Sequence, residues 1–206
     1  MKTRHFLALL VLLFAVALAA APSLAEHPPG KPLAAALIER MRAGGLVLYL
    51  RHTATERGAD AEPLDLLACP KQRNLSAEGR EAERRIGAAI GRLGIPIAEI
   101  RTSPFCRTRE TAYLAFGAAE IDAGLLSGGN PKDPAEQARL PALARLLSAK
   151  PPAGTNAVLV GHSGLLDALA KIHLDEGEMA VFEPRGRGGY DFLARIRPEH
   201  WAGLAP

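Results

Sequence analysis

Cysteine is scarce, with two residues, Cys69 and Cys106, in a chain of 206. Neither opens a Cys-x5-Arg phosphate loop, because Leu75 and Ala112 stand where the arginines belong. No Cys-x2-Cys or His-x3-His pair exists, so the usual metal-ligand spacings are absent. The chain also lacks internal repeats, low-complexity blocks and a strong excess of one charge. Its formal net charge of +3 falls to +1 once Lys2 and Arg4 are set aside, which does not argue for nucleic acid.

Long apolar runs are absent too, with one exception. Lys2 and Arg4 precede an unbroken apolar run from Phe6 to Ala21, and Ser23-Leu24-Ala25 follows with small residues at the −3 and −1 positions. This pattern predicts a secretory signal peptide, residues 1–25, cleaved after Ala25. The run is shorter than the ~20 residues a membrane span needs. No cysteine follows the cleavage site, so no lipid anchor is expected. The mature chain is therefore expected to be exported, periplasmic or secreted, and free of the membrane. Two cysteines in an oxidising compartment fit one structural bridge, against the alternative of two free thiols.

What is present is a strand–helix alternation. After a lead-in and first helix (residues 26–45, with the helix over Leu33–Arg42), Leu46–Leu50 reads as a strand buried on both faces. Residues 53–74 form a polar connection. Ser76 is placed to cap a helix over Ala77–Leu93, whose apolar face carries Ala82, Ile86, Ala89, Ile90 and Leu93. Ala98–Thr102 is a second strand. Ser103-Pro104 reads as N-cap and first residue of a helix reaching Phe116. One helix over Pro134–Leu147, a buried strand over Ala157–Val160, a helix to Ile172, and strands over Met179–Phe182 and Tyr190–Ile196 follow. The expected fold is α/β, a three-layer sandwich whose mostly parallel central sheet is flanked by helices, with residues 46–206 as one domain.

Three of these strands end in basic groups. Arg51 and His52 follow the first, Gly161 and His162 follow another, and Arg107 lies one turn into the helix after a third. Ligands of open α/β sheets bind beyond the carboxyl ends of the strands. Two arginines and two histidines converging there would repel one another unless an anion completed the cluster. A phosphoryl group matches the arginine forks, and the helix after Ser103 offers amide hydrogens. Histidine can attack phosphorus covalently.

The segments LYLRHT, NLSAEGREAERRIG, TSPFCRTRETA and VLVGHSG, in this order over residues 46–170, resemble the blocks of the histidine phosphatase superfamily, the phosphoglycerate mutase-like fold. The resemblance implies that His52 is the nucleophile and that Arg51, Arg107 and His162 bind the phosphoryl group. It implies a small phosphorylated substrate, no metal and no organic cofactor.

Two departures stand out. Thr53 occupies the position after the nucleophile where glycine is usual. A general acid does not align, and Glu120, Asp122 and Glu136 are candidates by position only. Singly, each basic residue could be a solvated strand end or helix face. Glu56, Asp60 and Asp65 read as solvated loop, and Lys71, Arg73 and Asn74 as possible helpers in holding an anion. Two rivals remain. A serine esterase would use Ser163, but Leu165 replaces the last glycine of G-x-S-x-G. A non-catalytic phosphate- or partner-binding module would keep the pocket without turnover.

Overall fold

The computed structural model describes residues 31–128, 130 and 132–203. The expected signal peptide and the start of the lead-in lie outside the described residues. Six strands form one mixed sheet in the order β3-β2-β4-β1-β5-β6. The strands are β1 (Val47–Arg51), β2 (Ile97–Thr102), β3 (Glu120–Ile121), β4 (Asn156–Gly161), β5 (Met179–Gly186) and β6 (Gly189–Ile196). β1, β2, β3 and β4 run parallel, and β5 and β6 add an antiparallel edge.

Helices cover both faces, as the fully apolar strands require. Side chains alternate across β1. Leu48 and Leu50 join one core with Ile38 and Met41 of α1 (Lys31–Ala43), Ile86, Ala89 and Ile90 of α2 (Ala77–Arg92) and Ala112 of α3 (Cys106–Phe116). Val47 and Tyr49 join the other core, with Leu143 and Leu147 of α5 (Leu140–Ser148) and Leu165 and Leu166 of α6 (Ser163–Ala170). This is the expected three-layer arrangement.

Ser76 caps α2 as expected, its side chain accepting from Gly79 N at 3.0 Å. Three local expectations are corrected. Ser103 does not cap α3, which begins at Cys106 after Phe105. The segment expected as one helix is two, α4 (Pro134–Gln137) and α5, because Pro141 sits in the first turn of a new helix. Proline has no amide hydrogen to continue the earlier one. The two-residue β3 was not anticipated, being too short to show a period.

Cys69 and Cys106 are bridged, with Cα atoms 5.6 Å apart. The bridge fastens the connection after β1 to the first turn of α3. Closing 37 positions of chain should stabilise the fold by about 4 kcal/mol. The Cys69→Ser/Cys106→Ser variant is expected to melt about 10 °C lower. Alkylation of the intact protein should label no cysteine before reduction and two after it; two labels beforehand would contradict the bridge.

Candidate active site

The register Arg51↔Gly161 sets the carboxyl ends of β1 and β4 side by side. The next residue on each strand is a histidine, and the rings of His52 and His162 meet edge-on with centroids 5.4 Å apart. His52, Arg107 and His162 are buried, and Arg51 is partly so. The four residues named from the sequence are therefore brought together.

Two close approaches make this possible. A Cβ on Gly161 would stand 2.3 Å from Tyr49 Oη, which donates to His162 O at 2.8 Å and accepts from His162 N at 3.2 Å. A Cβ on Gly79 would stand 2.0 Å from Ala54 O, so the glycine lets α2 press on the chain just after His52.

The hydrogen bonds assign the imidazole roles. Thr53 O can only accept, so the 2.9 Å contact makes Nδ1 of His52 the donor and leaves the Nε2 lone pair for chemistry. Burial pulls the His52 pKa down to about 3. The Thr53 carbonyl works against that, and Arg107, Arg51 and Arg73 add to it. The ring is therefore neutral at physiological pH. His162 is shifted down likewise, first by burial and then by its basic neighbours. Its Nε2 lies 3.0 Å from Ser103 Oγ. Among the described residues its Nδ1 has no hydrogen-bond partner, which leaves that atom for a ligand.

The arginines are half-satisfied. Arg51 Nη1 donates to Leu174 O at 2.6 Å. Arg107 Nη1 donates to Asp60 at 3.0 and 3.2 Å and to Arg73 O at 3.3 Å. Its guanidinium stacks on Phe105 at 4.0 Å, whose ring in turn meets His162 at 5.0 Å. Yet the Nε atoms of both Arg51 and Arg107 are buried with no hydrogen-bond partner. A buried, unpaired guanidinium donor is costly.

The expected free amide at the start of α3 is corrected: Cys106 N is taken by Gln72 Oε1 at 2.9 Å. Asp60, expected as solvated loop, instead pairs with Arg107. Of the residues considered as helpers, Arg73 reaches the site, meeting Thr55 Oγ1 and Glu176. Glu120 and Asp122 pair with Arg101 at the sheet edge and do not contact the four basic residues. Glu136 is buried and accepts from Asn130 N at 3.1 Å.

Ser163 Oγ accepts from Leu174 N and lies 3.1 Å from His173 Nδ1. Asp167 approaches that same nitrogen at 3.9 Å, so the imidazole does not relay between serine and carboxylate as a triad needs. Among the described residues no cluster of three His, Cys, Asp or Glu side chains is placed to hold a metal ion.

Two residues given no such role by the sequence complete the surroundings. Ser103 orients His162, and Glu83 underlies Thr53, accepting from its backbone N at 3.1 Å. Glu83 was hidden among polar neighbours, although it shares the helix face of Ile86 and Ile90.

Solved structures place this architecture. The chain resembles the protein histidine phosphatase SixA complexed with tungstate, at 18% identity and TM-score 0.53, covering 75% of this chain and 98% of that one. It has the histidine phosphatase, or phosphoglycerate mutase-like, fold. A phosphoserine phosphatase from Entamoeba histolytica in complex with 3-phosphoglyceric acid shares the fold at 13% identity and TM-score 0.53, with 76% and 98% of the two chains covered. A mutant of that enzyme with phosphoserine matches at 12% identity and TM-score 0.50, covering 75% and 98%. No protein-family model and no curated protein matches the chain.

On this phosphatase-type fold Glu83 leaves a pH signature. Burial pushes its pKa from 4.5 up to about 8, against the Thr53 and Thr111 side chains and the Thr53 amide. The native state keeps a proton that the unfolded chain releases, so this stability is full below pH 4.5 and lost as pH rises through 8. His52 acts oppositely, costing stability as pH falls from 6.5 towards 3. Between about pH 6.5 and 8 the Glu83 effect stands apart from it. Urea midpoints of the wild type should fall over that interval, and those of Glu83→Gln should not. An equal fall in both would contradict this assignment.

Proposed function

We propose that the chain is an exported, metal-independent phosphatase that hydrolyses a phosphate monoester through a phosphohistidine on His52. The observation that carries this reading is the convergence of Arg51, Arg107 and His162 on a neutral histidine whose Nε2 lone pair is free. Three arginines there, Arg51, Arg73 and Arg107, face two carboxylates, Asp60 and Glu176, and a phosphoryl group supplies a further anion of the right shape. The phosphoserine and 3-phosphoglyceric acid bound in two structures of the same fold support the same class of ligand. Export rests on the signal-peptide pattern of residues 1–25, and the disulfide is compatible with it.

The reaction runs in two displacements. The Nε2 lone pair of His52 forms a bond to phosphorus as the ester P–O bond breaks. The departing oxygen takes a proton from a donor that the four basic residues do not supply. Arg51, Arg107 and His162 hold the equatorial oxygens, where charge is carried in the transition state. Water then attacks the phosphohistidine, releasing inorganic phosphate and restoring the Nε2 lone pair; one proton of that water stays on the phosphate and the other returns to the donor deprotonated in the first step.

The test is hydrolysis of an aryl phosphate by the purified mature chain. His52→Ala should abolish turnover while the far-ultraviolet spectrum and melting transition survive. Arg107→Ala should cost ~10²–10³ in turnover, the usual loss for one transition-state donor. Arg109→Ala should cost little, because Arg109 is exposed on α3. Activity should persist in EDTA. A wild-type chain that binds phosphate but hydrolyses no ester would favour the binding-module reading instead.

A further inference from the structure

One carboxylate at this pocket has no role in the two displacements. Glu176, in the turn after α6, places Oε1 at 3.2 Å from Thr55 Oγ1, 3.6 Å from Arg73 Nη1, 3.8 Å from Arg51 Nη2 and 3.9 Å from His52 Nδ1. Four groups from two stretches of chain thus converge on one oxygen. Among the described residues, all its polar partners belong to the pocket. The backbone anchors the turn: Gly177 N donates to His52 O at 3.0 Å, and Arg51 N to Glu178 O at 3.0 Å. The glutamate is therefore carried by the same strand end as the nucleophile.

The electrostatics give this oxygen a task. His52 is surrounded by Arg51, Arg73 and Arg107, each of which opposes positive charge on its ring. Phosphorylation at Nε2 creates that charge, since the ring keeps its Nδ1 proton for the Thr53 carbonyl while its lone pair goes to phosphorus. Asp60 is committed to Arg107. Glu176 is the carboxylate beside the Nδ1 edge.

We propose that Glu176 is a positioning residue for phosphoryl transfer. It offsets the charge that His52 gains on phosphorylation. This rests on the phosphatase reading above. It sets apart two properties that a merely structural role would move together. An anion in the pocket should weaken ground-state binding of another anion, yet speed formation of a cationic phosphoimidazole.

Glu176→Gln and Glu176→Asp test this, with p-nitrophenyl phosphate as phosphoryl donor and inorganic phosphate as competitive inhibitor. The Gln variant is expected to phosphorylate His52 about ten- to a hundredfold more slowly in a single turnover. Its inhibition constant for inorganic phosphate should be unchanged or lower. The Asp variant, which keeps the charge, should recover part of the rate. Wild-type speed in the Gln variant would overturn the proposal while leaving the phosphatase reading intact. So would a rate and a phosphate affinity that fall together. A wild-type chain that takes no phosphoryl group from the probe would overturn both.

Discussion

Crowding of positive charge at the junction of β1 and β4 governs the rest of this structure. Parallel pairing of two buried strands sets Arg51-His52 beside Gly161-His162, and Arg107 arrives from α3. Nothing in the apolar layers above and below can compensate that charge. Burial and mutual repulsion hold both histidines neutral. The guanidiniums are lowered by burial as well, and Glu176 and Asp60 act against that shift. The fold thus holds a histidine that needs no base to deprotonate it and two cations that still lack part of their hydrogen bonding.

The polar groups around this cluster come from distant parts of the chain. Asp60 and Arg73 are delivered by the connection after β1, and the Cys69–Cys106 bridge fastens that connection to the turn bearing Arg107. Gln72 reinforces the same seam by accepting from Cys106 N. Behind His52, Thr53 fills the position expected of glycine and is built into the structure. Its hydroxyl donates to Gly79 O at 2.9 Å, and its amide to Glu83 at 3.1 Å. The side chain therefore points to α2, which is why the departure from glycine leaves the basic cluster assembled.

Much of this was legible because it is local. Continuous apolar runs marked β1 and β4, and the residue following each marked the site. Ser76 and the spacing of Ile86, Ala89 and Ile90 marked α2. Other features share one signal between two uses. Ser103-Pro104 has the form of a helix start, yet the serine serves His162. Pro141 carried the break between α4 and α5 in plain view, inside a stretch otherwise apolar enough to read as one helix. Glu176 and Asp60 gave no local sign at all. Their meaning comes from partners far along the chain, and an isolated carboxylate in a polar segment looks like a solvated one.

The central claim is that His52 itself carries the phosphoryl group. Quenching the wild-type chain during incubation with a labelled aryl phosphate and mapping the label tests it most directly. The account predicts phosphate on the peptide containing His52, labile to acid and stable to alkali, and no label in His52→Ala. Label on Ser163, or turnover with no covalent phosphoenzyme under any quench, would contradict it.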